Sequence, residues 1–173
     1  MSDDVRMADP LAALRRLRPG DGVVLRHYGA PEREALARRL AKICRRRGLL
    51  LLIAGDARLA LRVGADGVHW PQHAVRRRRF SRALPQTAAA HDLPALTAAR
   101  RADIAAVLLS PVFPTASHPG ARTLGAVRFA GLARRFPGPV FALGGLDDRR
   151  LRRLRGGRLS LAGWAGIGAL RPE

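Results

Sequence analysis

Short apolar runs alternate along the chain with stretches rich in arginine, alanine and leucine. The runs cover residues 22–28, 49–54, 67–70, 84–88, 106–113, 139–143 and 157–164. Several of them, such as 49–54, are continuous apolar runs, as in parallel strands covered on both faces. Between the runs, the pattern predicts helices over 31–47, 58–63, 93–101, 127–136 and 147–155. Pro31 and Glu32 mark a helix start, Leu36, Leu40 and Ile43 share a face, and Gly48 stands where a helix stop belongs. Asp147 and Asp148 open the last helix, where the positive end of its dipole favours acids. An amphipathic helix over 10–17 precedes the first run.

Strand–helix alternation throughout means an α/β fold with right-handed crossovers, either a doubly wound sheet or a (β/α) barrel. A closed barrel of this kind has eight strands and normally needs about 200 residues, whereas seven runs are present in 173 residues. A helix that comes first implies a strand before it, which places the shortfall at the N-terminus. No linker or break in composition divides the chain, so 1–173 reads as a single domain.

With 47% hydrophobic residues, a wholly disordered chain is excluded. No window approaches the ~18 uncharged apolar residues of a membrane span. Residues 1–10 carry Asp3, Asp4 and Asp9 and do not read as a signal peptide. Cys44 is the only cysteine, which excludes an internal disulfide and suits a reducing compartment; a cytoplasmic location is expected. The net charge, 32 − 13 = +19, comes almost wholly from arginine, since Lys42 is the one lysine. The arginines fall in short clusters such as 45–47 and 76–79, and only Phe80 adjoins the longest. No stacking platform for nucleic acid results, and the field suits solvated faces or anionic small molecules.

Candidate chemistry gathers at the C-terminal ends of strands in such folds. The polar residues there are Arg26-His27-Tyr28, Gly55-Asp56, His69 with Gln72 and His73, Thr87 with His91, the loop 110–120, Gly144-Gly145, and Ala165-Gly166-Ile167. Thr115, Ser117 and His118 equip the proline-stiffened loop to grip a phosphate, or alternatively to form a rigid turn that caps the next helix. Gly144-Gly145 either brings backbone amides to a phosphate or serves as an ordinary strand-to-helix turn. His69 and His73 flank Pro71, which argues against a metal pair. Cys44 reads as structural, and neither a Walker loop nor a Gly-x-Gly-x-x-Gly fingerprint is present.

Three segments, 64–72 (Gly-Ala-Asp-Gly-Val-His-Trp-Pro-Gln), 110–118 (Ser-Pro-Val-Phe-Pro-Thr-Ala-Ser-His) and 142–146 (Ala-Leu-Gly-Gly-Leu), carry a resemblance. In order and spacing the chain is similar, over about Leu11 to Leu170, to the thiamine phosphate synthase and thiazole tautomerase family. The resemblance implies a triosephosphate-isomerase-type (β/α)8 barrel, here lacking or truncating its first strand. Met1-Ser2-Asp3 looks like that strand's Thr/Ser-Asp ending, and residues 22–28 and 157–164 would flank the gap. It also implies an Mg2+-assisted union of a pyrimidine-methyl diphosphate with a thiazole phosphate through a pyrimidine carbocation.

Carried onto this sequence, Arg26 matches the arginine at the pyrophosphate, and His69 and Gln72 the residues near pyrimidine and metal. Thr115 and Ser117 match the loop's hydroxyl pair, with His118 in place of its lysine; these three are the expected catalytic residues. Gly145 with Ala165, Gly166 and Ile167 matches the thiazole-phosphate cradle. The departures are as informative. The family's two metal aspartates fall on Gly55 and Ala74, leaving Asp56 only as a shifted candidate, and Tyr28 replaces a lysine. A synthase is the first reading. A thiazole tautomerase using His118 or His91, or a non-catalytic barrel binding a thiazole phosphate, are the alternatives.

Overall fold

The all-apolar residues Leu50–Ala54 form a strand, β2, paired in parallel on both sides by β1 (Gly22–Leu25) and β3 (Gly67–Trp70). This computed structural model describes residues 1–2, 10–75, 83–115, 120, 122–155 and 161–166. They gather in two compact units, one drawn from Met1–His69 and 83–86, the other from 70–75 and 87–166.

In the first unit, α1 (Pro10–Leu14), α2 (Arg33–Arg47) and α3 (Ala57–Val63) accompany β1–β3. Leu25, Leu40, Cys44, Leu51, Ile53 and Val68 are almost fully buried. The seam of α2 is Ala37, Leu40, Ala41 and Cys44, a quarter turn away from the Leu36–Leu40–Ile43 face expected from the pattern. Two alanines let the helix approach closely, which leaves Leu36 and Ile43 half-buried at the flanks. The helix stops where expected, with the Leu49 N–H donating to the Cys44 carbonyl at 2.9 Å. Burial pushes the Cys44 thiol up to about 11, consistent with an inert packing role. Arg47 donates to the carbonyls of Leu14 and Leu17 and so pins the end of α1. Glu34 accepts from both Arg38 (2.6 Å) and Arg62 (3.0 Å), which holds its carboxyl below the usual range. The Ser2 N–H donates to the Val24 carbonyl at 2.9 Å, placing Ser2 beside β1.

In the second unit, β4 (Gln86–Ala90), β5 (Ala106–Leu109), β6 (Val140–Leu143) and β7 (Gly163–Ala165) pair in parallel in sequence order. The helices are α4 (Gln72–Val75), α5 (Leu93–Arg101), α6 (Gly125–Ala133) and α7 (Asp148–Arg155). Leu96, Val107, Leu109, Val112, Phe129 and Ala142 form its core.

Among the described residues, then, seven strands alternate with seven helices, as an α/β chain should. β3 and α5 have the expected bounds. β4 runs two residues later than expected, because Pro85 accepts the Val68 N–H at 3.0 Å but has no N–H to give. β1 stops at Leu25 instead of Tyr28, since the Arg26 N–H goes to Ser2 Oγ (3.0 Å). β5 stops before Pro111. The short helix α4 has no counterpart in the sequence pattern. Residues 156–160, where the last apolar run begins, lie outside the described residues. No helix among the described residues is long and apolar enough to cross a membrane.

Candidate active site

Register brings the first cluster together. Leu25 lies opposite Ile53 and Ala54 opposite His69, so Arg26, Ala54 and His69 follow one row across β1, β2 and β3. His69 is buried, and burial first, then the positive charge of Arg26, lower its pKa from 6.5 to about 4. Its imidazole is therefore neutral at pH 7, and its backbone carbonyl accepts the Gly55 N–H at 2.9 Å. His27 is buried beside Arg26 in sequence, with Nδ1 3.0 Å from Ser2 Oγ.

At the carboxyl end of β2 the first turn of α2 contributes Arg33. Its Nη2 donates to the Ala54 carbonyl at 2.5 Å, and its guanidinium carbon lies 5.4 Å from the centre of the Tyr28 ring. Asp56 caps α3, accepting the Leu59 N–H at 2.9 Å, while its other oxygen lies 3.9 Å from Arg33 Nη1. An aspartate that caps a helix and faces a guanidinium is a poor hard-cation ligand. Gly55 and Ala74 offer no side-chain oxygen, and among the described residues no three His, Cys, Asp or Glu side chains group to hold a metal. Among the described residues, the side chains at this strand end do not fit a protein-held Mg2+.

The second cluster surrounds the ends of β4, β5 and β6. Gln72 Oε1 accepts the His91 N–H at 2.9 Å and its Nε2 donates to Asp92 Oδ2 at 3.4 Å, so the carboxamide orients the end of β4. Asp92 also caps α5 through the Ala95 N–H at 2.7 Å. His91 Nδ1 lies 2.8 Å from the Ser110 carbonyl and 3.2 Å from Ser110 Oγ. Donation from Nδ1 to that carbonyl leaves Nε2 as the lone-pair nitrogen of the neutral ring.

The loop after β5 lies directly on the glycine pair after β6. The Val112 N–H donates to Leu143 at 3.0 Å and the Phe113 N–H to Gly144 at 3.1 Å. Gly145 has φ +60, and a Cβ there would come 2.7 Å from the Phe113 carbonyl oxygen and overlap that of Pro114. Arg150 of α7 closes the arrangement. Its Nη1 donates to the Gly145 carbonyl at 2.8 Å, and its guanidinium carbon lies 5.3 Å from the centre of the Phe113 ring. Across the sheet, Ala165 lies opposite Leu143 and Gly166 follows it.

Of the expected site residues, Arg26 and His69 thus share one row, and Gly145 joins the loop that ends in the half-buried Thr115. Ser117, His118 and Ile167 lie outside the described residues. Sequence reasoning missed Arg33, Asp92 and Arg150. An aspartate just before a helix is a legible capping signal, at Asp56 and Asp92 alike. Nothing marks Arg33 or Arg150 among 32 basic residues.

A family model described as thiamine monophosphate synthase matches residues 9–170. A putative thiamine-phosphate synthase 2 of Aquifex aeolicus is 31% identical over 135 residues, 75% of this chain and 73% of that protein. A thiamine-phosphate synthase of Thioalkalivibrio sulfidiphilus is 34% identical over 122 residues, 68% of this chain but only 58% of the relative's length. In fold, the chain is similar to the solved thiamine phosphate pyrophosphorylase from Pyrococcus furiosus, with a TM-score of 0.76, 22% identity, and 97% and 83% of the two chains covered. With its α/β order, its strand-end arginine and its loop seated on a glycine pair, the chain belongs to the thiamine monophosphate synthase family.

Proposed function

We propose that the chain acts in thiamine biosynthesis, joining a hydroxymethylpyrimidine diphosphate to a thiazole phosphate with release of pyrophosphate. The observation that carries this reading is the loop 111–114 seated so closely on Gly144-Gly145 that a Cβ at Gly145 would collide with the carbonyls of Phe113 and Pro114. By the family resemblance, Gly145 with Ala165, Gly166 and Ile167 forms the cradle that receives the thiazole phosphate, and Thr115 and Ser117, with His118, meet the diphosphate. The bond between the pyrimidine methylene carbon and the diphosphate oxygen breaks, and the thiazole nitrogen supplies the electron pair of the new C–N bond. Arg26 stabilises the negative charge that develops on the leaving pyrophosphate. A neutral His69 adds no positive charge beside the forming carbocation. Holding both rings in place and excluding water does the rest. In this reading the fold is of the (β/α)8 barrel type, with Ser2 hydrogen-bonded to Val24 beside β1.

The test is thiamine phosphate formation from the two substrates, followed by chromatography. Product should form, and Arg26→Ala should lower kcat/KM about 10-fold, the weight of one hydrogen bond to a charged group. No product from the unaltered chain sinks the reading. One observation favours a second reading, a thiazole tautomerase: Ser110 fixes Nδ1 of the exposed His91, readying Nε2 as a base. Solvent deuterium entering the thiazole phosphate without pyrimidine substrate would select it.

A further inference from the structure

Gly55 stands where the resemblance puts a metal-binding aspartate, and its surroundings show what fills that place. It has φ +72, and a Cβ added there would meet Tyr28 Cε1 at 3.3 Å. The Arg33 guanidinium lies over that same tyrosine ring. It also holds the carbonyl of Ala54, the residue before Gly55, and lies 3.9 Å from the carboxylate of Asp56, the residue after it. One fixed positive charge thus sits across three consecutive positions at the carboxyl end of β2. The Arg33 side chain is only 16% exposed, and its Nε is buried with no partner among the described residues. Buried donors are normally satisfied, so this guanidinium is short of acceptors in the structure as it stands. Asp56 cannot make up the deficit, because its closer contact is the cap of α3.

We infer that Arg33 supplies the countercharge that the family resemblance assigns to Mg2+, so that this strand end binds a diphosphate-class anion without a metal. The inference rests on the diphosphate half of the proposed function. A guanidinium is well matched to such an anion, because its planar fork fits phosphate oxygens and it stays charged at any working pH. The Tyr28 ring, its centre 5.4 Å from the guanidinium carbon, adds a cation–π contact that helps hold the side chain in place. Arg26, at the end of the neighbouring strand, adds a second positive charge.

Titration calorimetry of the full chain with inorganic pyrophosphate, in EDTA and in excess Mg2+, tests this. Binding is expected in EDTA and unchanged by Mg2+. Arg33→Gln should weaken it about tenfold or more in both buffers, and Arg33→Lys, which keeps the charge but not the fork, should recover part of the loss. Thermal melting checks that each variant is folded, and the comparison of buffers on the unaltered chain needs no variant. Pyrophosphate binding that requires Mg2+ overturns the inference and leaves the synthase reading standing. Binding in EDTA that Arg33→Gln does not weaken also overturns it. No binding in either buffer overturns the inference together with the diphosphate half of the proposed function.

Discussion

Gly145→Ala should destabilise the chain by about 2–4 kcal/mol, combining left-handed backbone strain with overpacking against two carbonyl oxygens. The carbonyls of Phe113 and Pro114 occupy the space the methyl group needs. They have little freedom to retreat, because the Val112 and Phe113 N–H groups are tied to the end of β6. Gly20→Ala is the control, since Gly20 has φ +89 but nothing within 4 Å of an added Cβ. That variant should lose about 1 kcal/mol, the backbone term alone. Urea denaturation of both variants separates strain from collision. Equal losses would mean that the loop yields and that the cradle is not rigid.

Acid should weaken the fold through His69, and the sign follows from which state refuses the proton. An unfolded histidine titrates near 6.5, whereas in the folded chain burial and the charge of Arg26 hold this one at about 4. Above pH 6.5 the ring is neutral in both states and costs nothing. Between pH 6.5 and 4 the unfolded chain takes up a proton that the folded one rejects, so stability falls. The loss is about 2 kcal/mol at pH 5 and levels off near 3 kcal/mol below pH 4. Carboxylates titrate in the same range, so the informative quantity is the difference from His69→Gln. Urea midpoints at pH 7.5 and pH 5.0 should diverge less in that variant. Equal pH dependence in the two proteins would show that the imidazole is hydrated or carries its proton when folded.

Both effects come from positions whose importance is partly legible in the sequence. Gly-Gly after an apolar run and His at the end of β3 stand out by residue type and place, because strand period and turn chemistry are local. The two readings open for Gly144-Gly145 can be weighed only when Phe113 and Pro114, some thirty positions earlier, are seen against them. Gln72 is expected near pyrimidine and metal, and the structure shows its carboxamide bound to His91 and Asp92. Arg33 is invisible for a different reason. Its partners Tyr28, Ala54 and Asp56 are brought to it by the crossover from β1 to β2, and one arginine in so basic a chain carries no mark of its own. The buried seam of α2 is misplaced by the pattern because alanine weighs little in a hydrophobic periodicity yet packs closely against a sheet.

The double claim of Arg38 and Arg62 on Glu34 shows how scarce acids are in this molecule. With 32 cations and 13 acids, at least 32 − 13 = 19 side-chain cations can have no acid of their own even if every carboxylate is matched. Their neutralisation is left to the medium. Dissolved anions then become a component of the folding equilibrium, gathered around the native surface at a density the extended chain does not require. At physiological ionic strength the screening length is about 8 Å, short enough to confine repulsion to arginines of the same cluster. In dilute buffer it grows several-fold, and mutual repulsion acts on the whole surface at once. Salt, which loosens the exposed bridges of an ordinary protein, here acts as the missing carboxylates.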